Sequence, residues 1–186
     1  MNLTLKESLV TRSRVFSPWT AFYFLQSLLI NLGLGYPFSL LYTAAFTAIL
    51  LLLWRTLPRV QKVLVGISSL VAACYFPFAQ AYGAPNFNTL LALHSTNMEE
   101  STEILTIFPW YSYLVGIFIF ALGVIAIRRK KESEKARWNT FDSLCLVFSV
   151  ATFFVAPVQN LAWGGVFKLK DTGYPVFRFA KDVIVN

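Results

Sequence analysis

A hydroxyl and a carboxylate lie four residues apart in a short polar stretch near the middle of the chain. Thr96 and Glu100 share one face of any helix formed there, because residues four apart are neighbours on a helix surface. A carboxylate attracts an ammonium group, and a hydroxyl beside it hydrogen-bonds a phosphate or a glycerol ester. The pair therefore predicts a site for an ammonium-bearing phospholipid headgroup, provided that the segment lies at a membrane surface.

The same stretch also has a plainer interpretation. Thr96 precedes Glu99 at the capping-box spacing, so spacing alone favours a capped, acidic and solvated surface helix. Two nearby side chains, Tyr82 and His94, have common roles as interfacial anchors or helix caps, but they would line the same place. The residues alone thus give Tyr82, His94, Thr96 and Glu100 as candidate headgroup contacts, with Asn88 as a candidate cap of the helix that precedes them.

The composition places these residues in a membrane protein. Of the 186 residues, 56% are hydrophobic and only 13% are charged, whereas about a quarter of a soluble domain is charged. Residues 15–54, 63–98 and 104–127 contain no Asp, Glu, Lys or Arg. One membrane-spanning helix needs about 20 apolar residues, so these runs hold several spans.

The sequence predicts an all-α integral membrane protein, a bundle of about five transmembrane helices within residues 1–159. A short helical loop, residues 83–109, follows the third span, and residues 160–186 form a juxtamembrane segment after the fifth. The predicted spans are residues 19–34, 38–54, 63–82, 110–127 and 140–158.

The distribution of Lys and Arg predicts the orientation. These residues are concentrated before the first span and in the loops at 55–62 and 128–137, whereas the loops at 33–37 and 83–109 contain none. Short loops rich in Lys and Arg stay cytoplasmic, so the N-terminus is expected inside and the C-terminus outside. This clustering between apolar runs accounts for the net charge of +7 and argues against nucleic acid as a partner.

The usual catalytic and metal-binding signatures are missing from the sequence. It has one histidine and two separated cysteines, and it contains no phosphate-binding glycine loop and no Gly-x-Ser-x-Gly motif. We therefore expect no catalytic residue, cofactor or metal site in this chain, and leave open whether it belongs to an enzyme. A non-enzymatic membrane anchor or assembly partner is one alternative. A small transporter is another, with Gln26, Asn31, Ser68 and Ser69 as its buried polar candidates.

The run Ala81-Tyr82-Gly83 and the stretch from Ser95 to Ser101 carry a family resemblance. Together with the five spans and the helical loop after span three, they resemble the N-terminal membrane domain of bacterial phosphoethanolamine transferases, a family of alkaline-phosphatase type. The resemblance covers essentially the whole chain. Within the family, the chain is most similar to the enterobacterial type associated with osmoregulated periplasmic glucans.

The resemblance implies a bacterial inner-membrane protein whose loop 83–109 and C-terminus are periplasmic. Family members transfer phosphoethanolamine from phosphatidylethanolamine to an envelope acceptor, here implied to be a glucan. Their headgroup region contains an Asn, a Thr and a Glu spaced by four; Thr96 and Glu100 match, whereas the Asn position falls on Ala92 and Asn88 lies one turn earlier. The resemblance also implies that residues 160–186 lead to a periplasmic catalytic domain, with its nucleophile and zinc, that this truncated chain lacks.

Overall fold

The computed structural model describes residues 18–85, 106–129, 140–162 and 173–185. These residues form six helices and contain no strand, which confirms the predicted all-α class. The helices are α1 (Pro18–Gly33), α2 (Leu40–Thr56), α3 (Pro58–Tyr82), α4 (Trp110–Arg128), α5 (Thr140–Ala162) and α6 (Pro175–Val185).

Three of these helices are long and apolar enough to cross a membrane: α3, α4 and the Thr140–Gln159 part of α5. Helix α2 is apolar but has 17 residues, and α1 has 16. At 1.5 Å per residue both are shorter than the roughly 30 Å of a hydrocarbon core. The structure therefore supports a membrane protein with three candidate spans, and each of the five predicted spans coincides with one of the helices α1 to α5.

Two helices extend beyond the predicted spans. Helix α3 begins at Pro58, five residues before the predicted span, because proline suits the first turn of a helix and the charged side chains there do not prevent helix formation. Helix α5 continues through Pro157 to Ala162, four residues past the predicted span. The helix ends therefore do not coincide with the ends of the apolar runs.

Helices α3 and α4 approach closely through small residues. A Cβ on Gly116 would lie 2.7 Å from the backbone oxygen of Ala73, and a Cβ on Gly123 would lie 2.6 Å from the Cβ of Ser69. Gly66, on the same helix as Ser69 and Ala73, faces the end of the Ile127 side chain. We call these residues the small-residue seam; close backbone approach of this kind is how helices associate in a membrane, where lipid supplies no hydrophobic contrast.

Helix α1 contacts its neighbours through buried polar side chains. Gln26 Nε2 donates to Ser69 Oγ of α3 at 3.1 Å, and Asn31 Nδ2 donates to Thr43 Oγ1 of α2 at 3.2 Å. We call this face of α1 the polar seam. It also includes Ser27 Oγ, which accepts from Thr47 at 3.2 Å, and Tyr23 Oη, which accepts from Gln61 at 3.3 Å.

Two further contacts between helices involve charged residues. Arg55 in the last turn of α2 pairs with Asp142 in the first turn of α5, so each charge also suits the dipole of its own helix. At the same end of the bundle, the guanidinium of Arg129 lies between two indole rings, 4.0 Å from the centroid of Trp19 and 4.3 Å from that of Trp54. This cation–π contact fastens the end of α4 to α1 and α2, and we call this the Arg129 end.

Candidate functional site

The structure places one of the five predicted headgroup contacts. Tyr82 is the last residue of α3 and is 53% exposed, so its ring is available at the end of the bundle opposite Arg129. The other four residues, Asn88, His94, Thr96 and Glu100, lie outside the described residues. The described surroundings of Tyr82 therefore define the candidate site, and we call this end of the bundle the Tyr82 end.

Two glycine turns are in contact next to Tyr82. Gly83 has φ +72° and Gly35, in the turn after α1, has φ +78°, conformations that glycine adopts without steric cost. A Cβ on Gly35 would collide with the carbonyl of Gly83. The Tyr75 hydroxyl donates to that carbonyl at 3.0 Å, so the backbone leaving α3 is held against the turn that joins α1 to α2.

Helix α6 packs against the same two turns. The Tyr36 hydroxyl donates to Asp182 Oδ2 at 3.1 Å, and the Phe179 ring meets the Tyr75 ring edge-on with centroids 5.1 Å apart. The guanidinium of Arg178 lies 5.5 Å from the centroid of the Tyr36 ring. We call this arrangement the tyrosine junction, made of Tyr36, Tyr75, Gly83, Phe179 and Asp182.

The tyrosine junction encloses one carboxylate among donors and cations. Asp182 accepts from Tyr36, and its oxygens lie 3.5 Å from Lys181 Nζ and 3.9 Å from Arg178 Nε. Burial raises the pKa of Tyr36 above its ordinary value, and the charge of Asp182 and its hydrogen bond raise it further. Tyr36 is therefore a protonated donor at neutral pH, and the two cations exceed the single carboxylate on this side of α6.

A second tyrosine anchors the start of α6. The Tyr174 hydroxyl donates to the backbone oxygen of Ser149 in α5 at 2.8 Å, and its ring lies 5.8 Å from that of Tyr42, measured between centroids. Burial raises the pKa of Tyr174 to about 12 despite the hydrogen bonds that oppose this shift. Gly173 leaves no room for a side chain beside the Tyr42 hydroxyl, so α6 enters the bundle in a fixed position.

The described part of the chain offers no metal centre. Within residues 18–85, 106–129, 140–162 and 173–185, no group of three or more His, Cys, Asp or Glu side chains could hold an ion.

Sequence reasoning missed the tyrosine junction. Tyr36 and Asp182 are 146 residues apart, and no local pattern reports a contact at that separation. Two signals were available: the Gly-Leu-Gly-Tyr run after α1, and a single carboxylate within the otherwise apolar and basic stretch 175–185. A lone carboxylate in such a stretch favours a nearby donor or cation, but the sequence does not say which.

The whole sequence of the chain can be compared with proteins of known function. No family model and no solved structure matches it. Over all 186 residues it is 98% identical to phosphoethanolamine transferase OpgE of Escherichia coli (strain K12). The chain spans 35% of the length of that protein, which is the N-terminal part. The whole chain therefore corresponds, nearly residue for residue, to the N-terminal part of a phosphoethanolamine transferase.

Proposed function

We propose that this chain is the membrane domain of a phosphoethanolamine transferase and that it binds or presents the donor lipid, phosphatidylethanolamine. The proposal rests on one observation: the chain is 98% identical, over all 186 residues, to a protein named as a phosphoethanolamine transferase. In this proposal the helices α1 to α5 are five spans of a bacterial inner membrane. The N-terminus is cytoplasmic, and the Tyr82 end faces the periplasm.

The geometry of the Tyr82 end supports a lipid-presenting role. Tyr82 is exposed where α3 ends, and Trp110 and Tyr111, also exposed, begin α4. Aromatic residues at helix ends are typical of the headgroup level of a membrane. Thr96 and Glu100, the proposed headgroup contacts, lie in the sequence between these two helices. The segment that carries them thus begins and ends at helix ends that bear exposed aromatic side chains.

We propose that this chain recognises the donor lipid and that the rest of the protein carries out the transfer, because of the chemistry of the residues in this chain. A carboxylate and a hydroxyl recognise the ammonium and the phosphate of the donor without activating either. Transfer to an acceptor, proposed to be an envelope glucan, needs a nucleophile. We propose that the nucleophile and a zinc ion belong to the remaining 65% of the relative's length.

The buried polar residues of α1 and α3 favour this role over that of a small transporter. Gln26 and Asn31 donate to side chains of neighbouring helices, and hydrogen bonds between helices hold them together in a membrane. Ser68 Oγ donates within its own helix, to the backbone oxygen of Leu64 at 2.6 Å. These side chains are used in packing, which is the role expected of a scaffold for a surface site.

The test is lipid binding by the purified chain, comparing phosphatidylethanolamine with phosphatidylglycerol by native mass spectrometry. We expect selective binding of phosphatidylethanolamine and its loss in the Thr96→Ala/Glu100→Ala variant. A matched control, Glu99→Ala/Thr102→Ala, removes the same two residue types from an adjacent side of the predicted helix, leaves Thr96 and Glu100 in place, and should keep the selectivity.

Transfer by the full-length relative carrying the same substitutions tests the role in activity. We expect a large loss of transfer with the Thr96/Glu100 variant at unchanged expression and little loss with the control pair. Equal, unselective lipid binding together with unchanged transfer would instead support a membrane anchor without headgroup recognition.

A further inference from the structure

Helix α6 lies against the sides of the spanning helices rather than over their ends. Phe179 contacts Tyr75, and α3 continues for about two turns beyond Tyr75 before it ends at Tyr82. Tyr174 donates to the oxygen of Ser149, and α5 continues for more than three turns beyond that residue. Both α3 and α5 are long and apolar enough to cross a membrane. Helix α6 therefore lies alongside the terminal parts of α3 and α5 and not beyond their ends.

In that position α6 presents an apolar face away from the bundle. Phe177, Ala180 and Ile184 follow the spacing of one helix face, and all three are exposed, Ile184 to 81%. The opposite face carries Phe179 and Asp182, which contact Tyr75 and Tyr36. An exposed apolar face is expected of a helix that lies in a lipid interface and is unusual for one in water.

Positive side chains lie along one edge of this apolar face. Arg178 has a side chain that is 56% exposed, and Lys181 lies one turn further along α6. Long basic side chains beside an apolar face extend toward lipid phosphates while their stems stay in the apolar layer. The Tyr36 hydroxyl donates to the carboxylate of Asp182 on the bundle side of α6. This hydrogen bond keeps the negative charge of Asp182 on the side of the helix away from lipid.

We infer that α6 is an interfacial helix, with Phe177, Ala180 and Ile184 in the acyl boundary of one leaflet and Arg178 and Lys181 at the phosphates of glycerophospholipids. The partner is a lipid surface recognised by its phosphate, so the inference does not require a particular headgroup. It is thus separate from the proposed presentation of phosphatidylethanolamine.

The first test is the environment of a spin label on α6 in the full chain. The parent has Cys74 and Cys145 replaced by alanine, and the chain is placed in vesicles of equal parts phosphatidylcholine and phosphatidylglycerol. Labels go on Ile184→Cys, on Ile117→Cys in the exposed face of α4 as a lipid reference, and on Arg59→Cys as a water reference. Collision rates with oxygen and with a water-soluble nickel complex are measured.

We expect the nickel collision rate at position 184 to be severalfold below that at position 59, and the oxygen rate to approach that at position 117. A label at 184 that matches the water reference would overturn the inference. Phosphatidylcholine and phosphatidylglycerol replace phosphatidylethanolamine here, so this result cannot depend on recognition of the proposed donor.

A second variant tests the phosphate contacts. Including phosphatidylglycerol in vesicles of phosphatidylcholine should lower the nickel collision rate at position 184, because anionic lipid attracts Arg178 and Lys181. In Arg178→Gln/Lys181→Gln this dependence on lipid charge should be lost, while Arg178→Lys/Lys181→Arg should retain it. The same dependence in all three proteins, or in none of them, would overturn the role of these two residues.

Discussion

Helix α3 is held by different means on its two sides. On the α4 side the contact is the small-residue seam, where Gly116 and Gly123 let backbones approach. On the α1 side it is the polar seam, where side chains reach across and hydrogen-bond. Ser69 belongs to both, since its Cβ packs at Gly123 and its Oγ accepts from Gln26. The difference teaches that the α3–α4 contact depends on close backbone approach, whereas the α1–α3 contact adds hydrogen-bonding partners to a close approach of Gly33 to Ala72.

The two seams should also differ in what they tolerate. Shape matching admits no added atom where two backbones touch, as at Gly116, but it needs no polar partner. Hydrogen-bond matching tolerates small changes of size but leaves a polar group exposed to an apolar environment when a partner is removed. The acceptor oxygens of Gln26, Asn31 and Gln61 have no partner within the described residues, so the polar seam is already incompletely satisfied.

The largest effect is expected from adding one methyl group to the small-residue seam. Gly116→Ala places a Cβ 2.7 Å from the backbone oxygen of Ala73, which cannot move without shifting α3. We expect a loss of about 2 kcal/mol in the free energy of unfolding, typical of overpacking. Denaturant unfolding of the chain in detergent micelles, followed by circular dichroism, measures it.

Gly66→Ala is the matched control for that substitution. Its added Cβ meets only the end of the Ile127 side chain, at 3.1 Å, which is free to shift. Alanine also gains up to about 1 kcal/mol over glycine in helix propensity, so this variant should be neutral or slightly stabilised. Equal destabilisation by both substitutions would mean that backbone approach at Gly116 is not what joins α3 and α4.

The next largest effect concerns Tyr36, which follows α1 in the chain and donates a hydrogen bond within the tyrosine junction. Tyr36→Phe removes a hydrogen bond to a carboxylate, and bonds to charged groups contribute about 1.5 kcal/mol or more. We expect α6 to detach more often while the five longer helices stay intact. Hydrogen exchange should therefore become faster in 175–185 and stay unchanged in α3.

Tyr111→Phe serves as the control for Tyr36→Phe. Its ring is 53% exposed, so removing its hydroxyl should leave exchange in α6 unchanged. If Tyr36→Phe instead accelerated exchange equally in α3 and α6, the junction would be a part of the bundle core and not a separable contact.

A smaller effect is expected where the two seams share a residue. Ser69→Ala keeps the Cβ that packs at Gly123 but removes the acceptor for Gln26, and an interhelical hydrogen bond in a membrane contributes about 0.6 kcal/mol on average. We expect a loss of about 1 kcal/mol, because Gln26 is then left with no partner at all among the described residues.

A double substitution separates the two roles of Ser69. In Ser69→Ala/Gln26→Leu no polar group is left unpaired, so part of the lost stability should return. The same unfolding measurement, arranged as a double-mutant cycle, gives the coupling between the two positions. Strictly additive losses would show that the polar seam is held by packing and not by hydrogen bonds.

The sequence was sufficient to predict the helices but not their partners. Uncharged runs and short basic loops predicted stretches that coincide with α1 to α5, because a helix that crosses a membrane has to stay apolar along its length. The pairing of Gln26 with Ser69 and the close approach at Gly116 depend on how helices rotate and cross, which no local pattern encodes. Tyr36 and Asp182 escaped prediction for the same reason, since the chain brings them together only after folding.

The candidate site shows the same balance. Tyr82, placed by sequence at the end of a span, lies at the end of α3 as expected. The contacts that organise its surroundings, from Tyr75 to Gly83 and from Tyr36 to Asp182, were not predicted. Short-range spacing can thus propose candidate residues for a site, whereas the contacts around Tyr82 are a property of the whole bundle.

The smallest effect at neutral pH concerns the ionisation of the tyrosines that hold α6. Their pKa values are raised, Tyr174 to about 12, because burial disfavours the phenolate. The folded state therefore prefers both phenols protonated, and the stability that this contributes is fully present below the ordinary pKa of 10.0. It is lost as pH rises from there through the folded-state pKa, because the unfolded chain releases these protons first.

Absorbance of tyrosinate at alkaline pH measures this directly. Among the eight tyrosines we expect a late-titrating group, and Tyr36→Phe/Tyr174→Phe should reduce the late phase while leaving the early phase unchanged. A spin label on Ile184→Cys should become mobile in the same pH range in the parent, because phenolates at positions 36 and 174 would face a carboxylate and a backbone carbonyl. A label that is mobile already at pH 8 would show that α6 does not depend on these donors, and would leave the small-residue and polar seams as the contacts that organise the bundle.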